Sequence, residues 1–441
     1  MEMRGKAVVV GYWRDVKYSV HVLLGAAEKH ELLKEADFYL VPLDNLLNTV
    51  NELKVKYSRI AYIQTLLTTD LLTKHRKITE INKKLRDLGV VSIAGGPHAT
   101  GDPFGTVISL GFKYAFLGEA EDALPQIIEL GFDERDPSSV TGVFYLDSGK
   151  FVFRGRGFTS DLDKYPPFSP RLGLFNPIEI TRGCLHSCSF CQVSYIHTVR
   201  TRHRSVENIT FWCRYLLNRK IKDLRFITPD ALSYRDPGTG QSFVELLTEL
   251  NNLRRLGGRV YFGTFPSEIR PERIDREVAR FLKTHVDNER VNIGAQSGSD
   301  ELLKKIKRGH SSEDVLNALE ALRDAGLTAE VDYIIGLPDE TLEDKQLTIE
   351  HMRKVISMGG KIRIHYFIPL PGTPYALRNP SEVPQWLRIE LMKLIGSGKA
   401  RGNWLSQERA VRELLRLRGE GVILLTSDRA RSVLSGSSRN A

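Results

Sequence analysis

Three cysteines fall within one short stretch, Thr181-Arg182-Gly183-Cys184-Leu185-His186-Ser187-Cys188-Ser189-Phe190-Cys191, and the chain has one more, Cys213. Thiolates at spacings of four and three let a single loop reach three corners of an iron-sulfur cube. Three protein ligands on a four-iron four-sulfur (4Fe-4S) cluster leave one iron open to a ligand that must chelate it, whereas a structural cluster wants four cysteines. Zinc held by the same thiolates with His186, His197 or His203 is the other chemistry open to them. Structural zinc knuckles, however, pair Cys-x2-Cys with a second, distant pair, and only Cys213 is distant. Cys213 lies in Phe211-Trp212-Cys213-Arg214-Tyr215, which reads as a helix face, so a buried free thiol is expected there.

A loop of this kind must be positioned by regular elements, and strand-like and helix-like runs alternate from the start of the chain. Strands are expected over 7–12, 38–41, 60–64, 90–94 and 114–117, with helices between them, the rhythm of a doubly wound, Rossmann-like parallel sheet. Gly95, Gly96 and Gly118 fall where strands turn into loops at the ligand-binding edge of such a sheet. A hairpin is expected from 143–145 and 150–154, followed by a Pro-rich linker, 159–176. A second alternating series starts at 178–181 and continues over 224–228, 260–264, 291–294, 331–335 and 362–369, which predicts an open, partial (β/α)6 barrel. The expected division is an α/β domain over 1–158, the linker, a barrel over 177–378, and a basic helical C-terminal extension over 379–441. That extension should hold helices over 383–395 and 407–418 and end in a Ser- and Arg-rich tail.

The 441 residues suffice for two or three domains with their own cores. Charged residues make up 27%, no apolar run reaches the roughly 20 residues of a membrane helix, and 8–10 is too short for a signal core. Few cysteines, most of them clustered, suit a reduced, cytoplasmic protein and exclude a disulfide scaffold. The net charge of +9 is compatible with anionic partners such as RNA, phosphorylated metabolites or lipid head groups, and equally with ordinary surface charge.

Cys184, Cys188, Phe190 and Cys191 match Cys-x3-Cys-x-aromatic-Cys, and on this motif the chain resembles the radical S-adenosylmethionine (SAM) superfamily. The resemblance covers about 200 residues, 177–374, and implies a 4Fe-4S cluster, SAM chelated to its open iron, and a ferredoxin- or flavodoxin-type electron donor. It also implies reductive cleavage of SAM to a 5'-deoxyadenosyl radical. Asp230, in Phe226-Ile227-Thr228-Pro229-Asp230, stands where relatives hold the methionine amino group, without their Gly-Gly-Glu. Glu268, with Arg270, is at the position of their ribose and carboxylate contacts, with a surface ion pair as the plainer alternative. Gly294-Ala295-Gln296-Ser297-Gly298-Ser299-Asp300 with 303–308 is similar to the methylthiotransferase and cobalamin-dependent branches. That likeness brings Arg308 to the SAM carboxylate and Gln296 or Ser297 to the adenosyl end. Gly336-Leu337-Pro338-Asp339-Glu340-Thr341 resembles the turn that packs near adenine, with Thr341 read as a helix cap.

The first domain is similar to the cobalamin-binding domains that precede many such barrels, on Thr65 and Thr68, Gly95 and Gly96, and Gly118 and Glu119. It departs from them after the first strand: Tyr12-Trp13-Arg14-Asp15-Val16-Lys17 stands where Asp-x-His-x-x-Gly would supply a lower cobalt ligand, and His98 is read as a histidine closing a turn. The resemblances together imply cobalamin-dependent methylation of an unreactive carbon. Other readings stay open. One is methylthiotransfer to tRNA or a ribosomal protein, against which no cysteine precedes Cys184 to hold a second cluster. Others are carbon-carbon coupling or cyclisation, and a non-catalytic iron-sulfur or zinc protein that holds RNA through Arg200, Arg202, His203, Arg204, Arg401, Arg409 and Arg412, although no aromatic platform interleaves these side chains.

Overall fold

The computed structural model describes residues 4–235 and 241–435, so the end of the Ser- and Arg-rich tail lies outside the described residues. The chain divides into two compact units. One comprises Met1–Asn176, Leu370–Ala376 and Arg412–Ala441; the other comprises Pro177–Pro369 and Leu377–Val411.

The first unit is built on a seven-stranded sheet: β1 (Arg4–Gly11), β2 (Ala36–Val41), β3 (Tyr57–Thr65), β4 (Val91–Gly95), β5 (Tyr114–Phe116) and the hairpin β6 (Val143–Asp147) and β7 (Lys150–Phe153). Their order is β2-β1-β3-β4-β5-β6-β7, parallel through β5 and antiparallel in the hairpin. Helices cover both faces, which is why Ala7, Val8, Val9 and Val10 form an unbroken buried run rather than an alternating one. Strand order reverses between β1 and β3, and in open α/β sheets ligands bind outside the carboxyl ends of the strands at such a switch point. Gly11 closes β1 there because a Cβ would stand 1.8 Å from Oε1 of the buried Gln64.

The Pro-rich stretch expected as a linker is packed into this unit. Phe168 and Ser169 are fully buried, the Phe168 carbonyl oxygen lies 2.3 Å from where a Cβ on Gly25 would stand, and the Ser169 hydroxyl donates to Glu28. The C-terminal extension, expected as one piece, is divided between the units. Its last part is held by the buried carboxylate of Asp102. That carboxylate caps the helix Pro103–Ile108 through Gly105 N (3.0 Å) and accepts the backbone N–H groups of Leu424 and Leu425, each at 2.9 Å.

The second unit carries β8 (Ile178–Glu179), β9 (Thr181–Arg182), β10 (Arg202–His203), β11 (Asp223–Ile227), β12 (Arg259–Tyr261), β13 (Arg290–Gln296), β14 (Thr328–Ile335), β15 (Lys361–Tyr366) and β16 (Ala400–Arg401). Parallel ladders run β12-β11-β8 and β13-β14-β15-β16. Single parallel bridges, Thr228 to Ser267 and Ile269 to Ile293, connect the segment after β12 to both ladders. Strands occur at the six expected places, and β10 and β16 are additions. Helices Gln385–Gly396 and Trp404–Gly419 follow. No helix among the described residues is long and apolar enough to cross a membrane.

Candidate active site

The three cysteines lie on an excursion closed at its base by the antiparallel pair β9 and β10, with Arg182 opposite Arg202 and Thr181 opposite His203. Gly183 opens the loop at φ +87, where a Cβ would stand 2.5 Å from the Arg200 carbonyl oxygen, so only glycine lets the two arms approach. Within the loop Cys184 N donates to Thr198 O (3.4 Å), Cys191 N to Cys188 O (3.0 Å) and Ser189 N to Ile306 O (3.0 Å). The Ser194 hydroxyl donates to Cys184 O at 2.7 Å and Tyr195 to Ser187 O at 3.0 Å. Backbone and hydroxyl contacts thus hold the loop in place. Cys188 is buried and Cys184 and Cys191 partly so; burial pushes the Cys191 thiol up to about 12 and raises Cys184. Such thiols are inert until a metal displaces the proton, which is how thiolate sites couple metal binding to proton release.

Among the described residues no three His, Cys, Asp or Glu side chains gather closely enough to share one metal ion, the arrangement that the zinc alternative requires. His186 and His203 are held down to about 4, chiefly by burial, and His203 Nδ1 faces the Thr181 hydroxyl at 3.0 Å. Cys213 is fully buried in the helix Val206–Asn218, away from any such role.

Beside Cys188 the fold brings together three residues singled out in the sequence. Gly294, on β13, is the floor: a Cβ there would stand 2.4 Å from Arg308 Nη2, 2.6 Å from Gln296 Nε2 and 3.1 Å from Glu268 Oε2. Arg308 donates to Gly294 O (2.8 Å from Nη2) and points Nη1 at Cys188 Sγ at 3.8 Å. Gln296 sits at a register shift at the end of β13 with φ +69, a left-handed conformation rare outside glycine. Glu268 is half-buried, with 42% of its side chain accessible. Burial and the Asp332 carboxylate push Glu268 up, and the guanidiniums of Arg308 and Arg363 oppose them.

Asp230 is buried, with neither carboxylate oxygen in a well-formed hydrogen bond. Arg273 Nε stands 3.1 Å and His186 Nε2 3.9 Å from Oδ2, and burial raises its pKa against the pull of Arg273. A buried carboxylate in this state is costly unless a ligand donor reaches it. Phe190 is half-buried on the cysteine loop. Ser297 is engaged elsewhere: its hydroxyl meets Thr348 Oγ1 and Ser299 N, both at 3.1 Å, and so braces neighbouring helices. Thr341 caps the helix Leu342–Ser357 in a capping box with Asp344. Glu340 instead accepts from Gly336 N and the Ser381 hydroxyl, both at 3.0 Å.

Three residues not singled out in the sequence stand near Glu268. Asp332 on β14 is bound in bidentate fashion by Arg363 on β15, with Nε at 2.5 Å, and His365 Nε2 lies 3.8 Å from the same carboxylate. Arg363 Nη2 also reaches to 3.9 Å from Glu268 Oε1.

In the first unit Thr65 and Gly95 are register partners at the carboxyl ends of β3 and β4, and a Cβ on Gly95 would meet nothing nearer than 4.0 Å. The other residues expected to line a cofactor crevice have local duties. The Thr68 hydroxyl meets His98 Nδ1 at 3.1 Å, and His98 is fully buried rather than at a loop surface. Gly96 (φ +89) packs on Thr65, Gly118 (φ +93) on the Gly157 backbone, and the Glu119 carboxylate accepts Thr159 N at 3.0 Å. A depression of about 430 Å³ opens at the opposite, amino ends of β3 and β4, between Lys54, Arg59 and Asp133, and contains none of these residues.

Residues 178–352 match the family model of the Radical SAM superfamily. An uncharacterized protein of Methanopyrus kandleri is 27% identical over 373 residues, 73% of this chain and 69% of that protein. A tRNA-2-methylthio-N(6)-dimethylallyladenosine synthase of Finegoldia magna is 30% identical over 184 residues, 40% of this chain and 38% of the synthase. Two further synthases of this kind, of Chlorobium phaeobacteroides and Thermotoga petrophila, match over 50% and 57% of their length, so the chain spans about half the length of these relatives. Among solved structures, the radical SAM methyltransferase TsrM of Kitasatospora setae, with cobalamin and a [4Fe-4S] cluster bound, superposes with a TM-score of 0.66 at 18% identity, covering 85% of this chain and 77% of that one. The cobalamin-dependent SAM radical enzyme OxsB with aqua-cobalamin gives 0.62 at 15% identity, covering 90% and 56%. These likenesses show a shared α/β fold.

Proposed function

We propose, from the membership of residues 178–352 in the Radical SAM superfamily, that this chain binds a 4Fe-4S cluster through Cys184, Cys188 and Cys191 and SAM in the cavity beside it. When bound, the cluster supplies one electron to the sulfonium of SAM, the reductive cleavage that yields a 5'-deoxyadenosyl radical. The chain's own residues do the rest. Asp230 offers a buried carboxylate to an ammonium, Arg308 a charged donor to a carboxylate, Glu268 an acceptor to hydroxyls, and Gln296 an amide to the adenosyl end; the enclosing strands keep water out. The observation that carries this reading is the convergence of Arg308, Gln296 and Glu268 over Gly294 with Arg308 against Cys188.

For the first unit the reading is cobalamin binding at the switch point of its sheet, and for the whole chain methylation of an unreactive carbon. The strand order and the open space beside Gly95 support it, as does the fold shared with TsrM and OxsB. With Thr68 and Glu119 committed to His98 and Thr159 and Thr65 buried, Gly95 is the expected residue with open space beside it. The second reading, methylthiotransfer to tRNA, draws on identity to the tRNA synthases and lacks the cysteines for a second cluster.

Anaerobic reconstitution with iron, sulfide and hydroxocobalamin, followed by assay of 5'-deoxyadenosine from SAM and dithionite, tests this function. Product and retained corrin in the wild type, with product lost in Cys188→Ala, are expected. SAM cleavage without corrin removes the support for methylation, and no cleavage at all overturns the enzyme assignment.

A further inference from the structure

On the inner wall of the second unit, charged residues occur at alternate positions of adjacent strands, where the interior of a closed barrel of parallel strands carries branched apolar side chains. Glu330 and Asp332 lie on β14, Arg363 and His365 on β15 and Arg401 on β16. The register pairs Asp332 with Arg363, and Arg363 with Arg401. Arg401 and Glu330 form one ion pair (Nη2 to Oε2, 2.6 Å), with the carboxylate buried and the guanidinium largely exposed. Asp332 and Arg363 form the next, and here the guanidinium has a second partner: Nη2 reaches toward Glu268, whose other oxygen lies over Gly294 beside Arg308.

Glu268 itself follows a short bridge segment rather than a full strand. Its backbone is pinned by Ala231 N on its own carbonyl (2.9 Å) and by the Ile269 N bond to Asn292 O (2.9 Å). Those bonds fix where the side chain starts but not where it ends, and 42% of it is accessible. Arg363 is different: only 17% of its side chain is accessible and its fork is locked on a carboxylate of which 2% is accessible. Glu268 thus stands 3.9 Å from a guanidinium that is itself locked, with its other oxygen over Gly294 beside Arg308, so two held positive charges bias where its carboxylate lies.

We propose that Asp332 and Arg363 are positioning residues that act through Glu268, holding its carboxylate in the orientation in which it receives SAM. The inference rests on the SAM-binding reading of Glu268 given above. Asp332 orients Arg363, Arg363 orients Glu268, and Glu268 alone touches the ligand. The bidentate fork is the physical requirement, because a planar guanidinium can be shared in fixed geometry between two carboxylates whereas an ammonium is a point charge.

The test is a double-mutant cycle on the full-length, anaerobically reconstituted protein, read as SAM affinity by equilibrium dialysis and as the SAM-induced change in the spectrum of the reduced cluster. Loss of the carboxylate in Glu268→Gln is expected to weaken SAM binding about tenfold, the scale of one charged hydrogen bond. Arg363→Met should weaken it severalfold, Arg363→Lys should recover little, and the double variant should bind no worse than Glu268→Gln alone. Asp332→Asn with Arg363→Met removes both charges together and keeps the wall neutral, so it provides a folded comparison if the single variant does not fold. Iron content matching wild type shows that the cysteine loop is intact. Unchanged SAM affinity in Arg363→Met or in the charge-neutral pair overturns the proposal, as do effects of Glu268→Gln and Arg363→Met that multiply. If Glu268→Gln binds SAM as wild type does, the relay falls while the radical SAM reading stands on its 5'-deoxyadenosine assay; a wild type that binds no SAM overturns both.

Discussion

Gln296 combines a useful side chain with an unfavourable backbone. A non-glycine residue at φ +69 costs about 1–2 kcal/mol, and such strain persists where the surroundings over-determine it, commonly at functional sites. Gln296→Gly should therefore raise stability by about 1 kcal/mol while weakening SAM binding, because the strain is relieved and the amide is lost. Chemical denaturation and dialysis on the same preparation measure both effects; a variant that is less stable, or that binds SAM normally, shows that the strain does not serve the ligand. At this scale the cysteine triad could be read directly, since three thiolates and their spacing are chemistry that no fold needs to supply. Arg308, Glu268 and Asp230 came from resemblance, and the structure adds what spacing cannot: that Arg308 and Glu268 meet over Gly294 while Ser297 turns away to Thr348. Asp332, Arg363 and His365 went unread although Glu330-x-Asp332 and Arg363-x-His365 announce charge on one face of strands expected to be buried on both. A strict period of two in charged residues was the available signal.

Elements were more legible than their ends. Continuous apolar runs located the central strands of the first unit because both faces of that sheet are covered, and Thr341 is recognisable as a cap because Asp344 completes its box three residues on. The chain's return onto the first unit was not legible, because it depends on one carboxylate gathering backbone donors from 320 residues away. Asp102 accepts N–H groups from Gly105, Leu424 and Leu425, and nothing in the local sequence distinguishes it from an ordinary N-cap. Removing it should cost more than the roughly 1 kcal/mol of a lost cap, because the buried Leu424 donor is left unpaired at about 1–3 kcal/mol and the partly buried Leu425 donor loses its partner too. Asp102→Ala is accordingly expected to lower stability by at least about 2 kcal/mol and to expose the segment after Arg412 to protease, with Asp102→Asn milder because its amide oxygen still accepts. Proteolysis at the wild-type rate in the alanine variant would show that apolar packing of Leu414, Leu417, Ile423 and Leu424 holds the segment without it.

Across the whole molecule, histidines are buried in a neutral state in both units. His21 and His98 in the first unit and His310 and His351 in the second are all buried, and burial lowers the pKa of each below its ordinary 6.5. In the unfolded chain these imidazoles take up protons as the pH falls through about 6.5, while in the folded chain they stay neutral until their lowered values are reached. The unfolded state therefore binds more protons in that window, so stability falls as the pH falls and is fully present only above it. Each group contributes up to about 1.4 kcal/mol per pH unit within its window, so together they can offset much of the 5–15 kcal/mol typical of a folded domain. None of the four touches the cysteines, so the effect belongs to the scaffold and not to cluster loading. The denaturation midpoint is expected to change little from pH 8 to 7 and to drop with increasing slope from 6.5 to 5. His98→Gln keeps a polar partner for Thr68 and removes one titrating group, so it should flatten that slope whatever it does to stability at pH 8; an unchanged slope would mean that His98 is protonated inside the fold, charge-paired with Asp102 at 4.0 Å.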